Sequence, residues 1–152
     1  MRRKEKEILD REEIESIIKK ADVCRLGLSD NNIPYIVPLN FGYRDSCLYF
    51  HTAKAGKKID MIKTNNRVCF ELDIDHEVVR AENPSDWNMK FQSVIGYGKG
   101  FVLTDTEEKR LALDIIVEHY SGRPGGYKEK LVDHLAVIKV EIESMTGKKS
   151  GY

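Results

Sequence analysis

The 152-residue sequence has only three cysteines, four prolines and one tryptophan, and no apolar run longer than a few residues. Cys24, Cys47 and Cys69 are odd in number, far apart and free of any CxxC spacing, so a disulfide framework is excluded and reduced thiols in a cytoplasmic protein are expected. Each lies in an apolar, strand-like stretch and reads as a small buried hydrophobe. The short apolar runs cannot span a bilayer as a helix. After Met1-Arg2-Arg3-Lys4, the charged residues Glu5, Lys6 and Glu7 stand where an export signal needs apolar ones. Net charge is missing as well: 25 basic side chains meet 25 acidic ones, without the electrostatic footprint of a general nucleic-acid or membrane-surface binder. No repeat, linker or low-complexity tract divides the chain. At this length roughly two-thirds of the unfolded surface can be buried, enough for one domain over residues 1–152.

Several chemical motifs are also absent. There is no GxSxG, and the cysteines lack the local signature of a nucleophile, which speaks against hydrolysis. His76-Glu77 opens an HExxH-like string that ends at Arg80, and His119 and His134 have no ligand at helical or turn spacing, so no metal site is expected. Neither GxxxxGK[ST] nor GxGxxG occurs.

The zero charge that is present is a local cancellation. Within residues 51–67, Lys54, Lys57, Lys58, Lys63 and Arg67 face Asp60 alone. Within residues 71–86, Glu71, Asp73, Asp75, Glu77, Glu82 and Asp86 face Arg80.

Hydrophobic periodicity predicts a helix over 11–20, with Ile14, Ile17 and Ile18 on one face and a capping box from Asp10 and Glu13. From Val23 the period falls to two. Val23 to Leu28, Ile33 to Tyr43 and Cys47 to Thr52 read as a three-stranded antiparallel meander, with Pro34 and Pro38 placing the middle segment at an edge or bulge. A helix is expected from Gly56 to Asn65, then strands at Arg67 to Asp73 and Glu77 to Ala81. A long strand follows from Met89 to Leu103. Thr104 and Glu107 suggest a second capping box, before a helix with a stripe of Leu111, Ile115 and Ile116. Ser121 to Tyr127 is read as a mobile loop, and Leu135 to Glu143 as the last strand. Consecutive strands with short helical excursions predict a mainly β fold, a six- to seven-stranded antiparallel barrel, closed or nearly so.

Lys57 and Lys58 fall in the first turn of the second helix, where the macrodipole disfavours cations. Two readings account for them: an anion such as phosphate bound by the lysines, the free N–H groups and a Thr hydroxyl, or a solvated lysine face. Gly96, Gly98 and Gly100 bare one face of a strand, for a flat ligand, for another backbone, or for barrel coiling. Tyr35, Phe41, Tyr43, Tyr49 and Phe50 form a rival constellation, a stacking platform for single-stranded nucleic acid; core demand and the acidic segment oppose it.

The ordered set Val37-Pro38-Leu39-Asn40-Phe41-Gly42-Tyr43, Tyr49-Phe50-His51-Thr52-Ala53, Gly56-Lys57-Lys58-Ile59-Asp60 and Val68-Cys69-Phe70-Glu71 resembles the pyridoxamine 5′-phosphate oxidase-like flavoproteins, and within them the nitroimidazole-resistance branch. The likeness runs from about Arg2 to Gly147. It implies an FMN-binding split barrel, a homodimer with FMN at the subunit interface. Val37, Pro38, Leu39 and Asn40 would line the isoalloxazine and ribityl chain, His51, Thr52 and Ala53 would lie beneath, and Lys57 and Lys58 would hold the phosphate. Phe91, Gln92, Ser93, Val94 and Ile95 would approach from the partner chain, with Trp87 covering one side. The basic and aromatic terminal segment of true pyridoxamine phosphate oxidases has no counterpart in Thr146 to Tyr152. The resemblance therefore implies an FMN-dependent oxidoreductase reducing a small electrophile such as a nitroaromatic, with NAD(P)H a candidate donor. His51 would orient or protonate substrate, or merely contact the cofactor. A non-catalytic flavin or haem binding protein and a deazaflavin-dependent reductase are the alternatives.

Overall fold

The structure, a computed structural model, describes residues 4–152; the basic opening Met1-Arg2-Arg3 lies outside the described residues. A 3-10 turn at Lys4–Lys6 and a two-residue strand β1 (Glu7–Ile8) lead into α1 (Arg11–Lys20). Next come β2 (Cys24–Asp30), β3 (Ile33–Leu39), β4 (Gly42–Arg44), β5 (Cys47–Ala53), α2 (Lys57–Thr64) and β6 (Arg67–Val79). A 3-10 turn at Pro84–Asp86 precedes β7 (Asn88–Leu103) and α3 (Thr106–Ser121). A third 3-10 turn at Glu129–Leu131 precedes β8 (Leu135–Ser150). The sheet is antiparallel and eight-stranded, in the order β3-β2-β6-β7-β8-β5-β4, with β1 on β8. It is mainly β, as expected, and it coils into a split barrel whose ends no ladder joins.

The split lies inside a segment that reads as one strand. β3 pairs with β2 and β4 with β5, at opposite ends of the sheet order, and the chain passes between them through Asn40 and Phe41 alone. The meander of three strands is thus two hairpins, one at each end. Three Cα steps cover at most about 11 Å, so the two ends of the sheet converge at that crossing. Pro34 and Pro38 occupy the edge strand β3, where a missing N–H costs nothing in the ladder.

Alternation packs Cys24, Leu26, Leu28, Leu48, Phe50 and Phe70 inward with Val94 and Ile138. Ile14, Ile17 and Ile18 of α1 and Ile59 and Ile62 of α2 join the same core, each such side chain worth on the order of 2 kcal/mol. The caps differ from expectation. Asp10 accepts from the Glu12 N–H at 3.0 Å, while Glu13 instead receives Lys149 of β8 at 2.7 Å. On α3 the cap is Asp105, which accepts from the Glu108 N–H at 2.9 Å, and Glu107 pairs with Arg110. α3 also sits rotated from its expected stripe: Ala112, Leu113, Ile115 and Ile116 are buried and Leu111 is exposed.

The two strands expected over 67–81 are one. β6 continues through a bulge between Ile74 and Glu77, where Asp75 adopts φ 54°. Its carboxylate accepts from Gln92 at 3.0 Å and its carbonyl from the Tyr152 hydroxyl at 2.6 Å. β8 runs past Glu143 to Ser150, because β7 pairs with it along almost its whole length, with a register shift between Tyr97 and Gly98. The segment after α3 is tied back to that helix: Tyr127 donates to the Arg110 carbonyl at 3.2 Å and buried Lys109 donates to the Val132 carbonyl.

Candidate functional site

Of the three α-helices among the described residues, α2 alone starts without a side-chain cap. Its N-cap, Gly56, has φ 138°, a conformation costly for any L side chain, and a Cβ there would meet nothing within 4 Å. The Gly56 carbonyl accepts from Ile59 and Asp60, leaving the Lys57 and Lys58 N–H groups at the open end of the helix. An open glycine entry and free first-turn donors suit an anion such as phosphate, and Lys57 and Lys58 are the first two residues of the helix. Thr52, upstream of Gly56 in sequence, is buried at the end of β5, while His51 and Ala53 are exposed on the opposite face.

The Lys57 ammonium lies 4.5 Å from the centroid of the Tyr35 ring, so the start of α2 stands against β3. Along β3, Pro38 is exposed and Val37 and Leu39 are half-buried, with Asn40 exposed just beyond. No ladder joins this strand to His51–Ala53, which pair with Val137, Ala136 and Leu135 of β8.

The Asn40–Phe41 crossing is held from α3. The Tyr120 hydroxyl accepts the Phe41 N–H at 3.0 Å and donates to the Asp22 carbonyl at 2.8 Å. His119 Nε2 donates to the Ala21 carbonyl at 2.8 Å, and its ring lies 4.4 Å from that of Phe41. Burial pushes the Tyr120 phenol above its ordinary value, against the opposing pull of the Phe41 N–H and the Asn40 side chain.

Gln92, Ser93 and Val94 sit elsewhere. They pair with Ile74, Asp73 and Leu72 on one side and Lys149, Lys148 and Gly147 on the other. Val94 is wholly buried in the core and, contrary to expectation, presents no surface to a ligand. Ile62 of α2 packs near Gly100, and the run of β7 from Val94 to Gly100 spans about 20 Å. Trp87 is exposed on the β6–β7 connection, donates to the Ala81 carbonyl at 3.0 Å and carries Arg80 over its ring.

A cleft of about 750 Å³ lies on the outer face of the sheet over Gly27, Ile36, Cys69, Tyr97 and Gly98. It is apolar, and Ile36 and Tyr97 are 65% and 58% exposed. Cys69 is therefore exposed, contrary to the expectation of three buried thiols, and Cys47 is half-buried; Cys24 is buried as expected. The glycine-bared face of β7 is filled by protein: a Cβ on Gly96 would stand 2.3 Å from the Phe70 ring, and one on Gly98 2.1 Å from the Glu141 carbonyl oxygen. The aromatic platform is dismantled too, since Phe41 and Phe50 are fully buried. Tyr35 reappears as the partner of Lys57. The roles of His119 and Tyr120 had no sequence signal, for nothing local marks a helix end as the partner of a crossing far upstream.

Among the described residues no group of three or more His, Cys, Asp or Glu could hold a metal ion, and no helix is long and apolar enough to cross a membrane. The chain is similar to a candidate 5-nitroimidazole antibiotic resistance protein from Bacteroides thetaiotaomicron, with 40% identity, 94% of this chain and 86% of that one covered, and a TM-score of 0.83. A flavocytochrome from Azotobacter vinelandii shares the fold at 20% identity, covering 100% and 72% of the two chains, TM-score 0.83. A FAD-binding protein from Mesorhizobium loti does so at 23% identity, covering 94% and 96%, TM-score 0.69. Residues 10–149 match the family model described as pyridoxamine 5′-phosphate oxidase, and the chain belongs to that family.

Proposed function

We propose that the chain binds FMN at the interface of a homodimer and passes electrons, supplied to the flavin by a hydride donor such as NAD(P)H, to a small electrophile such as a nitroaromatic. The observation that carries this reading is the start of α2: an uncapped helix end, an open Gly56 and two lysines, beside the strand that presents Val37, Pro38, Leu39 and Asn40. The 40% identity to a candidate nitroimidazole resistance protein supports the choice of acceptor class.

In this reading Lys57, Lys58 and their backbone N–H groups bind the phosphate, and Thr52 adds a hydroxyl at the end of β5. Val37 and Leu39 offer half-buried apolar surface to a planar ring, and Asn40 an amide to its polar edge. Bound flavin supplies the electron transfer, which no side chain can perform. His51, exposed at the end of β5, gives a proton to the acceptor as it gains electrons. Gln92, Ser93 and Trp87 come from the second copy, since a chain's own Gln92 and Ser93 lie a long stretch of strand away from the α2 end of β7. Exposed Ile36 and Tyr97 in the outer cleft, with exposed Ile95 and Phe101 at alternate positions of β7 beside Tyr97, supply an apolar face for that copy.

The test is the visible spectrum of the purified protein, followed by titration with FMN. A flavin absorption band and saturable binding are expected; a colourless protein that takes up no FMN overturns the proposal. Anaerobic addition of a nitroimidazole to the reduced, FMN-loaded protein should then reoxidise it. A protein that stays reduced retains the binding reading and loses the reductase one.

A further inference from the structure

We infer that Tyr120 is a positioning residue for the flavin ring: its hydroxyl fixes the Asn40–Phe41 crossing, and with it the end of the ring-binding segment Val37–Asn40, before any ligand arrives. The inference rests on the FMN reading above and adds to it a residue outside the site.

At the crossing the chain leaves β3 and has not yet entered β4, so the Phe41 N–H has no partner strand. A backbone donor in that position needs another acceptor. The Tyr120 hydroxyl is that acceptor at 3.0 Å, and its own proton goes to the Asp22 carbonyl at 2.8 Å. One phenol oxygen thus ties three stretches of chain together: α3, the crossing, and the turn between α1 and β2. The neighbouring contacts share the task. His119 packs on the Phe41 ring and bonds the Ala21 carbonyl, one residue from Asp22. Gly42 allows the α3 backbone to approach β4 closely, since a Cβ there would stand 2.7 Å from Ile115 and Ile116 main-chain atoms. A phenylalanine at 120 would preserve the packing and remove both hydrogen bonds, leaving the crossing held by ring contacts alone.

A position set by α3 acts on the ring-binding segment and not on the phosphate cradle at α2. The signature is therefore an equal loss for FMN and riboflavin. Tyr120→Phe should weaken both by about tenfold, the equivalent of 1.4 kcal/mol, and should shift the visible band of the bound flavin. Tyr127→Phe is the control: it removes another α3-linked hydrogen bond, that of Tyr127 to the Arg110 carbonyl, and should lower thermal stability while leaving both affinities and the spectrum unchanged. Wild-type affinities and spectrum in folded Tyr120→Phe overturn the inference, as does a loss confined to FMN. Should Tyr120→Phe fail to fold, amide exchange at Phe41 in the unmodified protein decides. Slow exchange without flavin, little changed by adding it, is expected; fast exchange that flavin alone slows means that the ligand orders the crossing and overturns it. Should the unmodified protein bind neither FMN nor riboflavin, the functional reading falls by itself, and the role of Tyr120 in flavin binding falls with it whatever the exchange at Phe41.

Discussion

The ammonium of Lys57 lies 4.5 Å from the centroid of the Tyr35 ring, which joins the open start of α2 to the free edge strand of the sheet. The contact directs a cation toward the side of α2 that β3 occupies, although the helix dipole at that end favours an anion. A phosphate placed there would be met by Lys57, with Lys58 the next residue of the same turn.

Replacing both Lys57 and Lys58 with alanine should therefore separate two ligands. Losing charged hydrogen bonds should weaken FMN by roughly 10- to 100-fold, while riboflavin, which lacks the phosphate, should be weakened far less. Calorimetric titration of both ligands gives the comparison. Equal losses would show that the lysines do not read phosphate.

The β7 glycines differ in what surrounds them. Gly98→Ala would drive a methyl to 2.1 Å from the Glu141 carbonyl oxygen at the register shift, whereas Gly100→Ala would meet only Val68 and Ile62 side chains at 3.4 Å and beyond. Backbone cannot yield as a side-chain tip can. Gly98→Ala should cost about 2–3 kcal/mol and Gly100→Ala less than about 1 kcal/mol in urea unfolding.

The three thiols should react in order of access. Cys69 is exposed beside the outer cleft, Cys47 is half-buried with its thiol pushed up chiefly by burial, and burial drives the Cys24 thiol far above its ordinary value. Timed alkylation read by peptide mass spectrometry should label Cys69 first and Cys24 only on unfolding. If the cleft face joins two copies, Cys69 labelling should slow as dimer forms; a rate independent of protein concentration and of added FMN, in a protein that dimerises, would place the interface elsewhere.

Arg25 bonds Glu71 at 3.0 Å and Asp73 at 2.7 Å. Burial is the largest influence on Glu71 and raises its carboxyl above the ordinary value; Arg25 lowers it and Asp73 raises it. The folded state then holds the Glu71 proton more tightly than the unfolded chain. The resulting stability is present below the unfolded pKa and is lost as pH rises through the folded one. Glu71→Gln carries no such dependence, so wild type should gain on the variant between pH 7 and pH 4, a trend that paired urea unfolding curves will show. A gap that narrows the other way would mean that the ion pair with Arg25 outweighs burial.

What could be read from sequence follows from how local each cause is. Asp10 and the spacing of Ile14, Ile17 and Ile18 contain the whole signal for α1, and its bounds agree. Lys57 and Lys58 stand out because they oppose a dipole that the helix itself creates. The break at Asn40 and Phe41 is different: Val37 to Tyr43 alternates well enough for one strand, and what divides it is a ring and a hydroxyl arriving from α3. Likewise Glu13 has the right spacing for a capping box, but Lys149 from the far end of the chain takes its carboxylate. Bulges hide in the same way. Nothing near Asp75 announces that β6 continues beyond it; the full length of β7 alongside does.

The seam between β3 and β4 has one further consequence. Everywhere else around the sheet, admitting a guest between strands would mean tearing a ladder of backbone hydrogen bonds, but at the seam there is no ladder to tear. On the FMN reading, a ligand taken up at the seam would load and leave without partial unfolding, and the prolines along β3 remove two of the donors with which that rim could recruit a stray strand.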